Sequence, residues 1–212
     1  MIEAKRAMDL LLGGTALVLS LPLQAMIALA VRLDSPGPSL YRAKRVGRGG
    51  LSFTVLKFRS MRRDAANTGP AITGASDPRV TRVGLLLRRT KLDELPQLWN
   101  VLRGDMSLVG PRPEDSRFTE LYPEEYRRIL SVRPGITGPS QIAFIDEERL
   151  LAGDIEATYI GSILPQKVAL DLEYVRDEAI LRDAAILLQT LRALVRPPPA
   201  ARSQKARYPQ MR

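Results

Sequence analysis

Two adjacent carboxylates, Asp93 and Glu94, stand within KLDELPQLWNVLRGDMSLVGPRPE (residues 91–114), and Pro111-Arg112-Pro113 closes the same stretch. A carboxylate can attack phosphorus or ligate a hard cation. An arginine between two prolines has a stiff backbone and presents a planar fork that matches phosphate oxygens. A nucleophile, a metal ligand and a phosphate clamp can all be drawn from these residues. The remainder of the chain narrows the chemistry further, because its 212 residues include no histidine and no cysteine. Thiolate nucleophiles, disulfides and zinc–cysteine sites are excluded, as are Ser-His-Asp and HExxH arrangements. Catalysis must use carboxylates, Lys, Arg, Tyr, Ser/Thr or a metal held by oxygen, which favours Mg²⁺ or Mn²⁺.

Leu95, Leu98, Trp99 and Leu102 recur at helical spacing, and Pro96 is tolerated only in a first turn. The acidic pair therefore belongs at a helix start. Acids there commonly cap the helix and oppose its dipole. Free amides at a helix start also bind phosphate, and a carboxylate beside them can hold Mg²⁺ against a diphosphate. The dipeptide alone favours the cap. Its company, Arg88, Arg112 and the Arg133 of RPGITG (residues 133–138), favours the phosphate site, although any one of these arginines is most simply a surface ion pair. Lys57 and Arg59 alternate with Phe58, so they share one face of a strand and can meet an anion together. Gly47-Arg48-Gly49-Gly50 lacks the Lys-Ser/Thr ending of a P-loop and reads as a turn, while Arg62 and Arg63 read as a solvated basic face.

The elements that must position these groups begin with an apolar segment. No charge occurs between Asp9 and Arg32, and residues 10–31 would run about 33 Å as a straight helix, long enough to cross a bilayer. Lys5 and Arg6 precede it, and Arg32, Arg42, Lys44, Arg45 and Arg48 follow it, so either orientation of a crossing would put cations on the wrong side. Pro22 removes a backbone donor near the middle, and Ser20 and Gln24 can re-satisfy the freed groups. The expectation is a re-entrant helix–break–helix that enters and leaves by one face, with the break at Ser20 and Pro22. An ordinary crossing helix with a tolerated proline is the competing topology. Strands over 39–46 and 51–57 flank the glycine turn, a polar loop occupies 64–77, apolar periodicity resumes over 80–89, and a helix over 179–195 is either core-packing or interfacial. The excess charge sits at the two ends: residues 1–63 hold 11 Lys/Arg against 3 Asp/Glu, and residues 196–212 hold 5 against none. Basic ends beside apolar segments point to an anionic membrane surface and away from nucleic acid. The expected fold class is α/β, of the α+β kind. A membrane helix over 1–33 precedes a catalytic domain over 34–195, built from a small sheet and several amphipathic helices lying on the membrane, and a basic, disordered tail follows over 196–212.

KRAMDLLL at 5–12, SPGPSLYRAKRVGRGG at 35–50, VLKFRSM at 55–61, LRRTKLDELPQLWNVLRGDMSLVGPRPE at 87–114 and RPGITG at 133–138, in this order, resemble the bacterial sugar transferases. More closely, they resemble the small monotopic polyprenol-phosphate phosphoglycosyl transferases. The resemblance runs from about Lys5 to Leu194. It implies transfer of a phospho-sugar from a nucleotide diphospho-sugar, usually UDP-linked, to polyprenol phosphate, with release of UMP, at the cytoplasmic face of the bacterial inner membrane. By motif match Asp93 is the nucleophile that becomes a covalent aspartyl phospho-sugar, and Glu94 binds Mg²⁺. Lys57, Arg59, Arg88, Arg112, Arg133 and Asp171 (within ALDLEYV) form the substrate and phosphate site. Such a step opens a polysaccharide or glycoconjugate pathway. After RPGITG the chain departs from the family pattern, reading PSQIAFID and then EERLLAGDIEATYIGSILPQK, so no sugar or uridine contact is carried over and the sugar is not read. A non-catalytic membrane scaffold and a phosphatase with an aspartyl intermediate are the competing classes; the Asp-x-Asp-x-Thr of the latter is absent. An oligomer is compatible with the sequence.

Overall fold

A computed structural model describes residues 2–65, 69, 72–74, 77–151 and 153–195. The expected basic tail over 196–212 lies outside the described residues. The chain opens with α1 (Ile2–Asp34), followed by a hairpin of β1 (Leu40–Val46) and β2 (Ser52–Phe58). Then come α2 (Arg82–Thr90), a 3-10 turn over Leu92–Glu94 and α3 (Gln97–Arg103). Strand β3 (Ser107–Val109), α4 (Ser116–Thr119), a 3-10 stretch over Glu124–Ser131, β4 (Gly135–Thr137) and α5 (Pro139–Ala143) form the middle. A 3-10 turn at Glu147–Arg149 leads to α6 (Ile155–Thr158), a π turn (Tyr159–Ile163), α7 (Leu164–Arg176) and α8 (Ile180–Val195).

The hairpin forms where the two short strands flanking the glycine turn were expected. β1 and β2 pair antiparallel from Leu40↔Phe58 to Val46↔Ser52, and Gly49 and Gly50 take φ of 70° and 76° at the turn, a region that disfavours any side chain with a Cβ. The second sheet is two short parallel strands, β3 and β4, with Ser107 opposite Gly135 and Val109 opposite Thr137. This pair brings PRPE and RPGITG side by side. A Cβ on Gly135 would collide with the amide of Gly110, so the close approach of the two chains requires glycine there. Two larger apolar clusters and a smaller one hold the molecule together. One gathers Phe118, Phe144, Tyr159, Leu164 and Leu172 around α7; another gathers Val55, Leu98, Val101, Met106 and Tyr174; Ile27, Val31, Phe58 and Leu87 form the third.

Helix α1 corrects one expectation and supports another. It is helical without interruption from Ile2 to Asp34, with Pro22 inside, so no break divides it into two helices. Proline removes a single donor, the one that would reach Val18 O, and the expected compensation by Ser20 and Gln24 is not made: the Ser20 hydroxyl donates to Leu17 O at 3.0 Å and Gln24 Nε2 donates to Ser20 Oγ at 2.9 Å. Both ends of this helix, however, touch the same domain. Near its start Lys5 donates to Val109 O and the Tyr174 hydroxyl, each at 3.0 Å, and pairs with buried Asp183. Arg6 donates to Val101 O at 2.6 Å and Leu102 O at 2.9 Å, and buried Asp9 accepts from Ser107 Oγ and Leu108 N. Near its end Ile27 and Val31 pack on Phe58 and Leu87. Lys5 and Arg6, expected as cations against lipid headgroups, are instead tied to the domain. Leu11, Leu19 and Leu33, at 71%, 75% and 79% exposure, mark an apolar face that runs the length of the helix and stays open among the described residues. Trp99 on α3 and Leu181, Leu188 and Leu191 on α8 are similarly exposed.

Candidate active site

Asp93 and Glu94 lie in the 3-10 turn between α2 and α3, after Lys91 in the left-handed region (φ 57°). No side chain caps α3, whose N-cap is Pro96, so the capping use of the acids is not realised. The buried face of α3 also differs from the leucine–tryptophan stripe read from the sequence: Gln97, Leu98, Asn100 and Val101 are buried and Trp99 is half exposed. Asn100 is the reason. Its amide group accepts from Leu56 N at 3.0 Å and donates to Thr54 O at 2.7 Å, bolting α3 to the inner edge of β2. That fixes Lys57, the next residue of β2, opposite the acidic turn. Nothing in the spacing marked Asn100; a polar residue inside an apolar helical face is the signal that could have found it.

Lys57 Nζ donates to Glu94 Oε1 at 2.6 Å, and Arg112 Nη1 lies 3.8 Å from the same oxygen. Burial alone would raise the Glu94 pKa, but Lys57 and Arg112 outweigh it and hold the carboxyl at about 2. Glu94 is therefore a fixed anion. Asp93 is only 8% exposed, and its Oδ1 has no hydrogen-bond partner among the described residues. Burial and the neighbouring Glu94 raise its pKa against the opposing fields of Lys57, Lys91 and Arg88. An unpartnered buried carboxylate oxygen is a costly arrangement, seldom found without a use. It is poorly solvated and basic for a carboxylate, which suits a nucleophile.

Arg112 is held from behind. Its backbone amide donates to Asp171 Oδ2 at 3.2 Å, and Gly135 N donates to Pro111 O at 2.8 Å. Asp171 is buried and also accepts from Ser140 Oγ at 2.8 Å. Burial pushes its pKa up to about 7 although the Ser140 hydroxyl and the Arg112 amide pull the other way. Asp171 therefore orders the PRPE turn and does not itself join the carboxylate cluster.

The other expected cations divide. Arg88 lies near enough for its charge to act on Asp93, with its guanidinium on Glu148 at 2.5 and 3.0 Å. Arg59 and Arg133 stand elsewhere. Strand β2 ends at Phe58, and Arg59, 6% exposed, turns to Ser35 O at 2.7 Å and Pro36 O at 2.5 Å just past α1. Arg133 Nε donates to Gly104 O at 2.9 Å, at the C-terminus of α3. Both arginines satisfy carbonyls near a helix end, where the dipole also favours a cation. Alternation across Phe58 could not show this because it holds only while the strand lasts.

The sequence reading missed a buried network behind Arg112. Lys167 Nζ, on α7, contacts Glu114 Oε1 at 3.0 Å, Glu147 Oε2 at 3.1 Å and the Tyr159 hydroxyl at 3.0 Å, and Tyr159 donates to Glu114 at 2.8 Å. A lysine on the apolar face of PQKVALDL was the available signal. Among the described residues no group of three or more potential metal-ligating side chains occurs. Mg²⁺ usually takes only one or two carboxylates together with substrate phosphates and water, and Glu94, ionised with both of its ion pairs on Oε1, fits that role.

Comparisons with known proteins identify the family of the chain. The family model described as "Bacterial sugar transferase" matches residues 2–197. A UDP-glucose:undecaprenyl-phosphate glucose-1-phosphate transferase of Caulobacter vibrioides is 41% identical over 196 residues, covering 90% of this chain and 69% of that protein. The exopolysaccharide production protein PSS of Rhizobium leguminosarum is 40% identical over 195 residues, 88% of this chain and 92% of its own length. A UDP-N-acetylgalactosamine-undecaprenyl-phosphate N-acetylgalactosaminephosphotransferase of Aeromonas hydrophila is 38% identical across 90% of this chain, which spans 43% of that protein. The chain belongs to the bacterial sugar transferase family.

Proposed function

We propose that this protein transfers a phospho-sugar from a UDP-sugar to polyprenol phosphate in two steps through Asp93. In the first, Asp93 Oδ1 attacks the sugar-linked phosphorus; an oxygen–phosphorus bond forms, the bond to the bridging oxygen breaks, and UMP leaves with the electron pair. In the second, an oxygen of the lipid phosphate attacks the same phosphorus, the bond to Asp93 breaks, and polyprenyl diphospho-sugar leaves. The carboxylate is regenerated and no proton transfer is needed, which suits a chain without histidine. Phosphoryl transfer depends mainly on positioning and electrostatic stabilisation. Lys57 and Lys91 supply positive charge near the attacking carboxylate, Arg112 supplies it beside Glu94, and Arg88 adds a further cation once Glu148 gives it up to substrate. Mg²⁺, held by Glu94, would offset charge on the donor's phosphates.

The observation that carries this reading is the unpartnered, buried Asp93 Oδ1 beside a Glu94 that two cations hold ionised. The printed activities of the Caulobacter and Aeromonas relatives supply the substrate classes. The membrane geometry is consistent with them. A helix whose two ends bind one domain cannot place those ends on opposite sides of a bilayer, so the undivided α1 lies along one face with its exposed side in lipid, and we assign that face as the cytoplasmic face of the inner membrane. The exposed faces of α1, α3 and α8 then rest in lipid, within reach of the acceptor's phosphate. The test is release of UMP from a panel of UDP-sugars in vesicles. Release should require both polyprenol phosphate and Mg²⁺ in steady state and vanish in Asp93→Asn; steady release by Asp93→Asn at the wild-type rate overturns the assignment.

A further inference from the structure

Arg112 is surrounded by carboxylates yet grips none of them. The fields of Glu94, Glu147 and Glu114 keep its guanidinium charged, although burial acts the other way. A guanidinium so placed ordinarily forks onto a carboxylate in two parallel hydrogen bonds. Here its ion pair is the 3.8 Å approach to Glu94, and among the described residues the side chain makes no hydrogen bond. The reason is that each acid already has another cation. Glu94 is taken by Lys57 at 2.6 Å. Glu114 and Glu147 are taken by Lys167 at 3.0 and 3.1 Å.

Lys167 is built for this and for nothing else visible in the fold. It is 3% exposed, and its three acceptors, Glu114, Glu147 and the Tyr159 oxygen, match the three hydrogens of an ammonium. The Tyr159 hydroxyl accepts from Lys167 and donates to Glu114, which closes the network. Glu147 comes from the segment after RPGITG where the chain leaves the family pattern, so that segment contributes a carboxylate to this balance. Three cations (Lys57, Arg112, Lys167) are in direct contact with or nearest to three acids (Glu94, Glu114, Glu147), with Asp93 additional, and Lys91 adds a weaker positive field on Glu94 and Glu147. Removing Lys167 leaves Glu114 and Glu147 beside Arg112 without the cation that both of them contact.

We propose that Lys167 is a positioning residue that keeps Arg112 open for the donor's diphosphate by neutralising Glu114 and Glu147. Without it, Arg112 closes onto one of those acids and the site repels an anionic substrate. The proposal rests on the UDP-sugar reading above. The experiment measures UMP release against donor concentration, with thermal melting alongside, for Lys167→Met, Lys167→Arg and the triple variant Lys167→Met/Glu114→Gln/Glu147→Gln. Lys167→Met should raise the donor KM by about tenfold or more with a smaller change in kcat, and Lys167→Arg should stay within about threefold of wild type. The triple variant should recover the KM to within about threefold, whatever its melting temperature. A purely structural lysine gives the opposite pattern: melting falls, the KM of the folded enzyme is unchanged, or the triple variant keeps the defect. Should Lys167→Met not fold, the double variants Lys167→Met/Glu114→Gln and Lys167→Met/Glu147→Gln decide beside the triple: each leaves one acid free to close on Arg112, so at least one should raise the KM about tenfold while the triple stays near wild type, and equal KM values in all three refute the proposal. Failure of the wild type to release UMP from any UDP-sugar would refute the reaction itself, an outcome separable from an unmoved KM in Lys167→Met.

Discussion

Replacing Lys57 by methionine keeps the stem and removes the ammonium that holds Glu94. The side chains of Lys57 and Glu94 are 24% and 16% exposed, so water screens the pair only partly. The carboxyl is held at about 2 against 4.5 in the absence of its surroundings. That shift corresponds to about 3 kcal/mol favouring the ionised form in the fold. Lys57 makes the short contact and Arg112 the long one, so loss of Lys57 should cost about 2 kcal/mol, or roughly 4–8 °C of melting temperature for a chain of this size. The pH dependence identifies the source. Because the folded pKa is depressed, the stabilisation is complete above the unfolded value near 4.5 and is lost as pH falls through about 2. The gap in melting temperature between wild type and Lys57→Met should be constant from about pH 8 to pH 5 and should shrink by roughly 40% by pH 3. Circular-dichroism melts in one detergent at one scan rate measure it. A gap that stays constant down to pH 3 would mean that Lys57 acts through packing and would refute the electrostatic account of Glu94.

Further outcomes follow from other contacts. Asp171→Asn should remove a decline in stability with rising pH: a carboxyl raised to about 7 is protonated in the fold while already ionised in the unfolded chain, so the native protein loses stability between about pH 4 and 7, and denaturant titrations of the variant should be flatter there. Arg59→Ala should lower stability by about 2 kcal/mol by freeing buried carbonyls near the end of α1, yet leave the donor KM of the folded enzyme within about twofold, which contrasts with Arg112→Ala, where the KM should rise at least tenfold. Gly135→Ala should cost about 3 kcal/mol or more and scatter the PRPE turn, seen as loss of folded yield in fluorescence-detected chromatography. Single cysteines at Ala4 and Ser35 should label from the same side of sealed inverted vesicles; labelling from opposite sides would establish a crossing helix.

The parts of this molecule that the sequence made legible are those set by local rules. The glycine turn and the short strands around it form the β1–β2 hairpin, and the proline-bracketed Arg112 is as constrained as its neighbours implied. The acidic pair was singled out by its company of arginines, though its helix-start context favoured a cap that α3 does not use. What failed were inferences that needed tertiary partners. Arg59 and Arg133 carry the same charge as Arg112, and only the nearness of helix-end carbonyls distinguishes them. Pro22 does not divide α1, because one missing donor is a small loss in a helix of 33 residues whose two ends are docked on the domain. Lys5 and Arg6 looked like membrane-facing cations, since nothing nearby in sequence reveals Asp183 or the carbonyls of α3. The Lys167 network joins residues 114, 147, 159 and 167, a spacing with no periodicity to detect.

Transfer through Asp93 requires its carboxylate to carry the phospho-sugar covalently between the two steps. Intact-protein mass spectrometry after brief exposure to a UDP-sugar and Mg²⁺, with polyprenol phosphate withheld, detects that species. The mass should increase by one phospho-sugar that maps to the peptide containing Asp93, disappears on addition of polyprenol phosphate and never forms in Asp93→Asn. Turnover-competent enzyme that shows no adduct at any quench time, or an adduct that persists in Asp93→Asn, would contradict transfer through Asp93.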